Sequence, residues 1–184
     1  MVQLDGQLLD ATLPVLQAGM PGVLRGEGIF ETFVVHDGEP TPLLQRHDAR
    51  LAHSAALTGF DVQVGDLRRS LATFLPKVSE GNWRVRLTVL RGLAEQQHFL
   101  WTAGAEPPPR EDAVIQISNF RLDPLSPLAG AKTISRLELQ VARAQAQAAG
   151  AFEAVLCTTD GDLAEGTSSN IFLWTESGLH TPGL

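Results

Sequence analysis

Lysine is scarce in this chain. Only Lys77 and Lys132 supply it among 14 basic residues; the other twelve are arginines. Cysteine occurs once, at Cys157, which excludes an internal disulfide and a Cys-based zinc site. The five histidines are scattered without metal-ligand spacing. No apolar run approaches the length of a membrane span. The opening stretch MVQLDGQLLDATLP lacks the basic segment and apolar core of a signal peptide. Net charge is −7 and no basic stretch forms, which argues against nucleic acid as a partner. GEGIF lacks the third glycine of a dinucleotide fingerprint and its strand-before, helix-after setting. No repeat or low-complexity segment occurs. These absences fit a cytoplasmic protein with no membrane partner.

What is present is a chain of 184 residues, 43% hydrophobic and 19% charged, the size of one domain or two small ones. Asp5-Gly6 between apolar residues reads as a hairpin, and GIFETFVV (28–35) as a strand entering an Asp37-Gly38 turn. RHDARLAHSAALTGF changes to a helical period, with Leu51, Ala55 and Thr58 on one face and Gly59 as the stop. A second helix is expected from Asp66, as N-cap, to about Lys77, burying Leu67, Leu71, Phe74 and Leu75. Strands are expected at 83–90, 98–102 and 113–120. RLDPLSPLAGA, with two prolines and a glycine, reads as a linker. After it, Ser135 and Glu138 have capping-box spacing ahead of a helix that runs to about Ala149 and ends at Gly150. Strands follow at 152–158 and 170–174, with turns at Asp160-Gly161 and Ser177-Gly178. The expected division is an N-terminal α/β lobe over 1–121, a linker over 122–131 and a second lobe over 132–184.

Three groups of residues could carry chemistry. Lys132 stands just ahead of a helix, and a solvated surface charge is the plainer reading there, although the positive end of the helix dipole disfavours a cation. Arginine cannot replace lysine in one role, as a primary amine that sheds its proton and forms an imine. In LAEGTSSNIFLW, Glu165 precedes Gly166, and Thr167, Ser168 and Ser169 follow. This is either a polar hairpin tip or a gathered carboxylate and hydroxyl set. In RHDARLAHSA, Arg46 and Arg50 share a helix face, as do Arg50 and Ser54, and an arginine near a helix start can clamp a phosphate. Surface Arg–Asp pairing is the plainer reading, more so for Arg46. Cys157, in an apolar strand, reads as a small buried residue.

In order, RGEGIFET, HDARL with SA, Lys with SRLE, and AEGTSSNIF resemble the fold-type IV pyridoxal phosphate enzymes, collinearly over 1–184. These include branched-chain and D-amino acid aminotransferases and aminodeoxychorismate lyases. The resemblance implies a two-lobe α/β fold, pyridoxal 5'-phosphate as cofactor, a small-molecule amine as substrate and a homodimer. It assigns Lys132 to the covalent hold on the cofactor and to catalysis. Glu165 is assigned to the pyridine nitrogen, Arg50 to the phosphate, and Ser168 and Ser169 to the cofactor's surroundings. Phe30 and Thr32 are assigned to the substrate side.

RLDPLSPLAGAKTISRLE is most similar to aminodeoxychorismate lyase, which implies conversion of 4-amino-4-deoxychorismate to 4-aminobenzoate and pyruvate, a step toward folate. The alternative is an aminotransferase. The Arg-x-His carboxylate trap of the D-amino acid enzymes would fall after Arg91-Gly92; here Gln96 stands where the arginine belongs, while His98 remains a substrate candidate. A third reading is a non-catalytic fragment or binding module, because the Gly-Ile-Thr-Arg-like segment that follows TP-x-L in the family is not among these residues. That reading expects an incomplete second lobe whose core is partly uncovered around 152–156 and 171–174.

Overall fold

The structure is a computed structural model and describes residues 1–183. It has two compact units. The first comprises residues 1–107 and 131–135, the second 108–130 and 136–184.

The first unit is built on a six-stranded antiparallel sheet. Its strands are β1 (Val2–Leu4), β2 (Gln7–Leu9), β3 (Gly28–His36), β4 (Glu39–Pro40), β5 (Asn82–Arg91) and β6 (Gln97–Ala105), in the order β2-β1-β6-β5-β3-β4. Three helices accompany it: α1 (Pro21–Leu24), α2 (Leu44–Thr58) and α3 (Val64–Phe74). The two expected Asp-Gly turns have positive φ at both residues, 48° and 87° at Asp5-Gly6 and 47° and 81° at Asp37-Gly38, the geometry whose twist suits a hairpin. Gly59 ends α2 in the left-handed conformation, φ 70°.

Strand alternation divides β3 between two faces. Ile29, Phe33 and Val35 join Val85, Leu87, Val89 and Trp101 in a core closed by Leu51 and Ala55 of α2 and Leu67, Leu71 and Phe74 of α3. Each such large apolar side chain contributes about 1.5–3 kcal/mol on burial. Trp101 stacks on Phe74 at 5.6 Å, and its indole N–H donates to Ser70 Oγ at 2.7 Å. Asp66 is not the cap of α3 but lies in its first turn, and Gln63 holds the cap position; the helix gives way to a 3-10 turn over Leu75–Lys77. The chain begins turning two residues before Asp66 because the amides of Asp66 and Leu67 already find the carbonyl of Gln63.

The second unit carries a three-stranded sheet, β7 (Ile115–Leu122), β8 (Glu153–Thr158) and β9 (Leu163–Gly166), with α4 (Leu137–Ala148) crossing between β7 and β8. β7 and β8 are parallel, a pairing that requires such a crossover. Ala142 and Ala146 of α4 pack on Ala151, Ala154 and Phe120. A short hairpin, β10 (Leu173–Thr175) and β11 (Gly178–His180), follows. No helix among the described residues is long and apolar enough to cross a membrane.

Several expectations are corrected here. Contacts divide the chain after Pro107, not after residue 121, because β7 pairs with β8. The expected linker 122–131 belongs to the second unit up to Gly130, and 131–135 returns to the first. Ser135 is not a cap, since its hydroxyl donates to Gly26 O at 2.9 Å and Arg136 takes the cap position without a side-chain bond. The strand expected at 170–174 begins only at Leu173, and β9 was not anticipated. Ala154, Val155 and Leu156 are buried, covered by α4 and flanked by β7 and β9, so the uncovered core expected there is confined to Phe152 at one end. Phe172, Leu173 and Trp174 are exposed as expected, at 60%, 54% and 77%.

Candidate active site

Most of the residues expected to carry chemistry fall into one group in each unit; His98 and Arg46 lie apart. In the first unit the centre is the segment around Lys132. Its carbonyl accepts the N–H of Phe30 at 2.9 Å, Thr133 bridges Ile29, and the N–H of Ile134 donates to Gly28 O at 2.9 Å. The segment therefore lies along the start of β3 as a fragment of strand. Gly28 makes this approach possible: a Cβ there would sit 2.8 Å from Ile134 Cδ1 and 2.9 Å from Val89 O. The N–H of Lys132 donates to Ser54 Oγ on α2 at 2.9 Å. The Lys132 amine lies 4.7 Å from the centre of the Phe30 ring, which also carries the Arg86 guanidinium at 3.6 Å.

Arg50 stands one turn before Ser54 on the same helix. Its Nε and Nη2 donate to the two carboxylate oxygens of Glu31 at 2.5 and 2.6 Å. His47 Nδ1 donates to Glu31 Oε2 at 2.8 Å. Glu31 is 2% exposed. Burial opposes its ionisation, but hydrogen bonds from Arg50 and His47, and their charges, outweigh that and hold its carboxyl below the ordinary glutamate range. The two-pronged bond fixes the plane of the Arg50 guanidinium. Glu31 was not singled out from the sequence. The signal available was a carboxylate at an inward position of β3, between Ile29 and Phe33.

Phe30 and Thr32 share the face of β3 opposite to Glu31; Thr32 lies across from Arg86 on β5. His98, at the start of β6, is engaged elsewhere: its Nδ1 meets Asp5 Oδ2 at 2.7 Å in the β1–β2 turn. Arg46 is exposed.

In the second unit Glu165 is half-buried on β9, across from Leu156. The hydroxyls that follow it converge on a different carboxylate, Glu153. Ser168 and Ser169 hydroxyls donate to Glu153 Oε2 at 3.0 and 2.8 Å, the Thr167 hydroxyl donates to Oε1, and the Ala154 N–H reaches Oε1 at 2.9 Å. Burial again opposes ionisation, and these hydrogen bonds again prevail, lowering the Glu153 pKa. Arg136 donates to Thr167 O at 2.8 Å and Arg143 to the Ser168 hydroxyl, so two arginines of one helix region brace the same loop. Gly166 is tight, since a Cβ would come 3.0 Å from Ser169 O and 3.3 Å from Glu153 Cγ. Sequence reading missed Glu153 because it read the hydroxyls in the order of the chain. Their shared acceptor lies more than ten residues away, on a neighbouring strand. Cys157 is half-buried on β8.

An antiparallel sheet unit with a lysine laid along its first long strand, together with a small unit with a βαβ crossover, defines the architecture. The family model Amino-transferase class IV matches residues 28–184, and the chain belongs to that family. Over 196 residues it is 29% identical to a bifunctional aminodeoxychorismate lyase / D-amino acid transaminase of Mycobacterium tuberculosis, covering 95% of this chain. The chain spans about two-thirds of that relative's length, 66%. The solved 4-amino-4-deoxychorismate lyase of Pseudomonas aeruginosa superimposes with a TM-score of 0.82 at 28% identity, covering 99% of this chain and 70% of that one. A hypothetical aminotransferase from Mycobacterium tuberculosis, solved in a PLP-bound form, gives a TM-score of 0.87 at 27% identity, covering 100% and 71%.

Proposed function

We propose that this chain carries the lysine and phosphate-binding arginine of a pyridoxal phosphate enzyme, and that its reaction is the lyase conversion of 4-amino-4-deoxychorismate to 4-aminobenzoate and pyruvate. The carrying observation is the tether between Lys132 and α2. Ser54 holds the lysine backbone, and Arg50 stands one turn away with its guanidinium fixed by Glu31. A primary amine and an oriented guanidinium, held by one helix, fit the aldehyde and phosphate ends of this cofactor. When bound, the cofactor supplies an electron sink that stabilises negative charge on the substrate.

The residues divide the remaining work. Lys132 Nζ would anchor the cofactor and, as a free amine beside the substrate, would take the proton from the ring carbon. Loss of that proton, with cleavage of the ring C–O bond to the enolpyruvyl side chain, would leave an aromatic ring, and the departing enolate would take up a proton to give pyruvate. Arg50 presents donors to the phosphate. Glu165 on β9 would pair with the protonated pyridine nitrogen, and a charge-assisted bond of that kind contributes about 1.5–3 kcal/mol. Ser168 and Ser169 would stand beside the cofactor with their hydroxyls committed to Glu153. Phe30 supports the Lys132 amine by its ring face, and Thr32 faces the substrate.

The lyase reading is favoured over D-amino acid transamination by Gln96 in the place of the trap arginine and by the pairing of His98 with Asp5. The bifunctional Mycobacterium tuberculosis relative supports testing both. Protein, cofactor and 4-amino-4-deoxychorismate should yield 4-aminobenzoate and pyruvate, and D-alanine with 2-oxoglutarate should yield far less keto acid. Borohydride reduction followed by peptide mapping should label Lys132 and not Lys77. Label confined to Lys77, or unchanged in Lys132→Ala, would refute the assignment.

A further inference from the structure

We infer that Ser54 is the positioning residue for Lys132: its buried hydroxyl fixes the lysine backbone to α2, and so sets where the amine stands relative to Arg50. The inference deepens the proposed function, because its value rests on Lys132 being the anchoring amine.

Serine is a poor choice inside a helix. It is less favourable than alanine there, and its hydroxyl competes for its own helix's carbonyls. Ser54 is nonetheless fully buried in the middle of α2, at 0% exposure, beside Ala55. A buried hydroxyl persists where it has a partner, and this one accepts the Lys132 N–H from 78 residues away in sequence, at 2.9 Å. Phe30 N–H holds the lysine carbonyl from the other side, also at 2.9 Å. The Lys132 peptide is therefore gripped by a strand on one side and by a helix on the other. Only the helix grip links it to the element that carries Arg50. Alanine at position 54 would leave the half-buried Lys132 N–H without that acceptor. The β3 contacts would keep the segment attached, but its rotation about β3 would no longer be set by α2.

Amide hydrogen exchange on the cofactor-free 184-residue protein tests this directly. In Ser54→Ala the Lys132 amide should exchange at least about tenfold faster, while the Ile134 amide, bonded to Gly28 O, keeps its protection. Ala55→Gly serves as the control. It disturbs the same turn of α2 without touching Lys132, so it should raise both amides together or neither. A rise at Ile134 equal to that at Lys132 in Ser54→Ala, or no rise at Lys132, overturns the inference. Borohydride labelling in the presence of pyridoxal phosphate separates this from the cofactor reading. Slower labelling of Lys132 in Ser54→Ala than in Ala55→Gly supports the role of Ser54, and equal labelling in both overturns its importance for the amine. If wild-type protein takes no label at Lys132, the cofactor reading falls, and the exchange experiment still decides whether Ser54 positions the lysine.

Discussion

Glu31 in the first unit and Glu153 in the second set the same physical problem and meet it by different chemistry. Both carboxylates are buried, at 2% and 4% exposure, on strands that otherwise carry core residues. Glu31 is held by the Arg50 guanidinium and the His47 imidazole, both on one helix. Glu153 is held by neutral donors: three hydroxyls from one loop and the Ala154 amide. The difference teaches what each carboxylate organises. An ion pair aims a single long side chain, so Glu31 determines the direction of the Arg50 guanidinium. A ring of short donors pins a backbone, so Glu153 determines the course of the loop 167–169.

The largest expected effect separates the two. Glu31→Ala leaves the Arg50 charge without its carboxylate and should destabilise the first unit by about 3 kcal/mol, as breaking a buried ion pair does. Urea unfolding measures this. A loss below that of Glu153→Ala would break the distinction between ionic and neutral solutions.

Glu153→Ala should cost somewhat less, about 2 kcal/mol, because the donors it strands are neutral and partly able to turn to water. Its unfolding curve should also be accompanied by faster proteolysis within 165–170. If the loop stays as resistant as in the wild type, Glu153 does not pin it.

Acid sharpens the comparison by treating both groups alike. Each carboxyl titrates below the ordinary value of 4.5. The unfolded chain therefore binds protons first as pH falls. The stability these groups contribute is complete above about pH 5 and is lost as pH drops through their lowered folded values. Urea midpoints measured from pH 6 to pH 3 should fall, and Glu31→Gln and Glu153→Gln should each flatten the fall. A slope unchanged in both variants would show that other carboxyls govern acid unfolding.

Ser168→Ala should have the smallest effect, about 0.5–1 kcal/mol, since it removes one of several donors to a carboxylate that keeps the others. A cost as large as that of Glu153→Ala would mean that the hydroxyls act as a single unit.

Much of the fold was legible because local chemistry wrote it. The Asp-Gly turns, the strand β3, the stop at Gly59 and the apolar stripes of α2 and α3 each depend on neighbours in sequence, and each is found where expected. The placing of β7 was not legible. Its exposed Ile115 and Ile117 do not reveal whether it pairs with the strands before it or with β8 after it.

For the candidate site, the sequence by itself determined which residue types are available: one lysine ahead of a helix, an arginine four residues before a serine, and a carboxylate followed by hydroxyls. Tertiary structure alone decided their partners. It laid Lys132 along β3 and tied it to Ser54, turned Arg50 onto Glu31, and gathered Thr167, Ser168 and Ser169 onto Glu153. The physical reason is that periodicity and turn chemistry are local, whereas burial of a charge or a hydroxyl is settled by whichever distant group the fold brings within 3 Å.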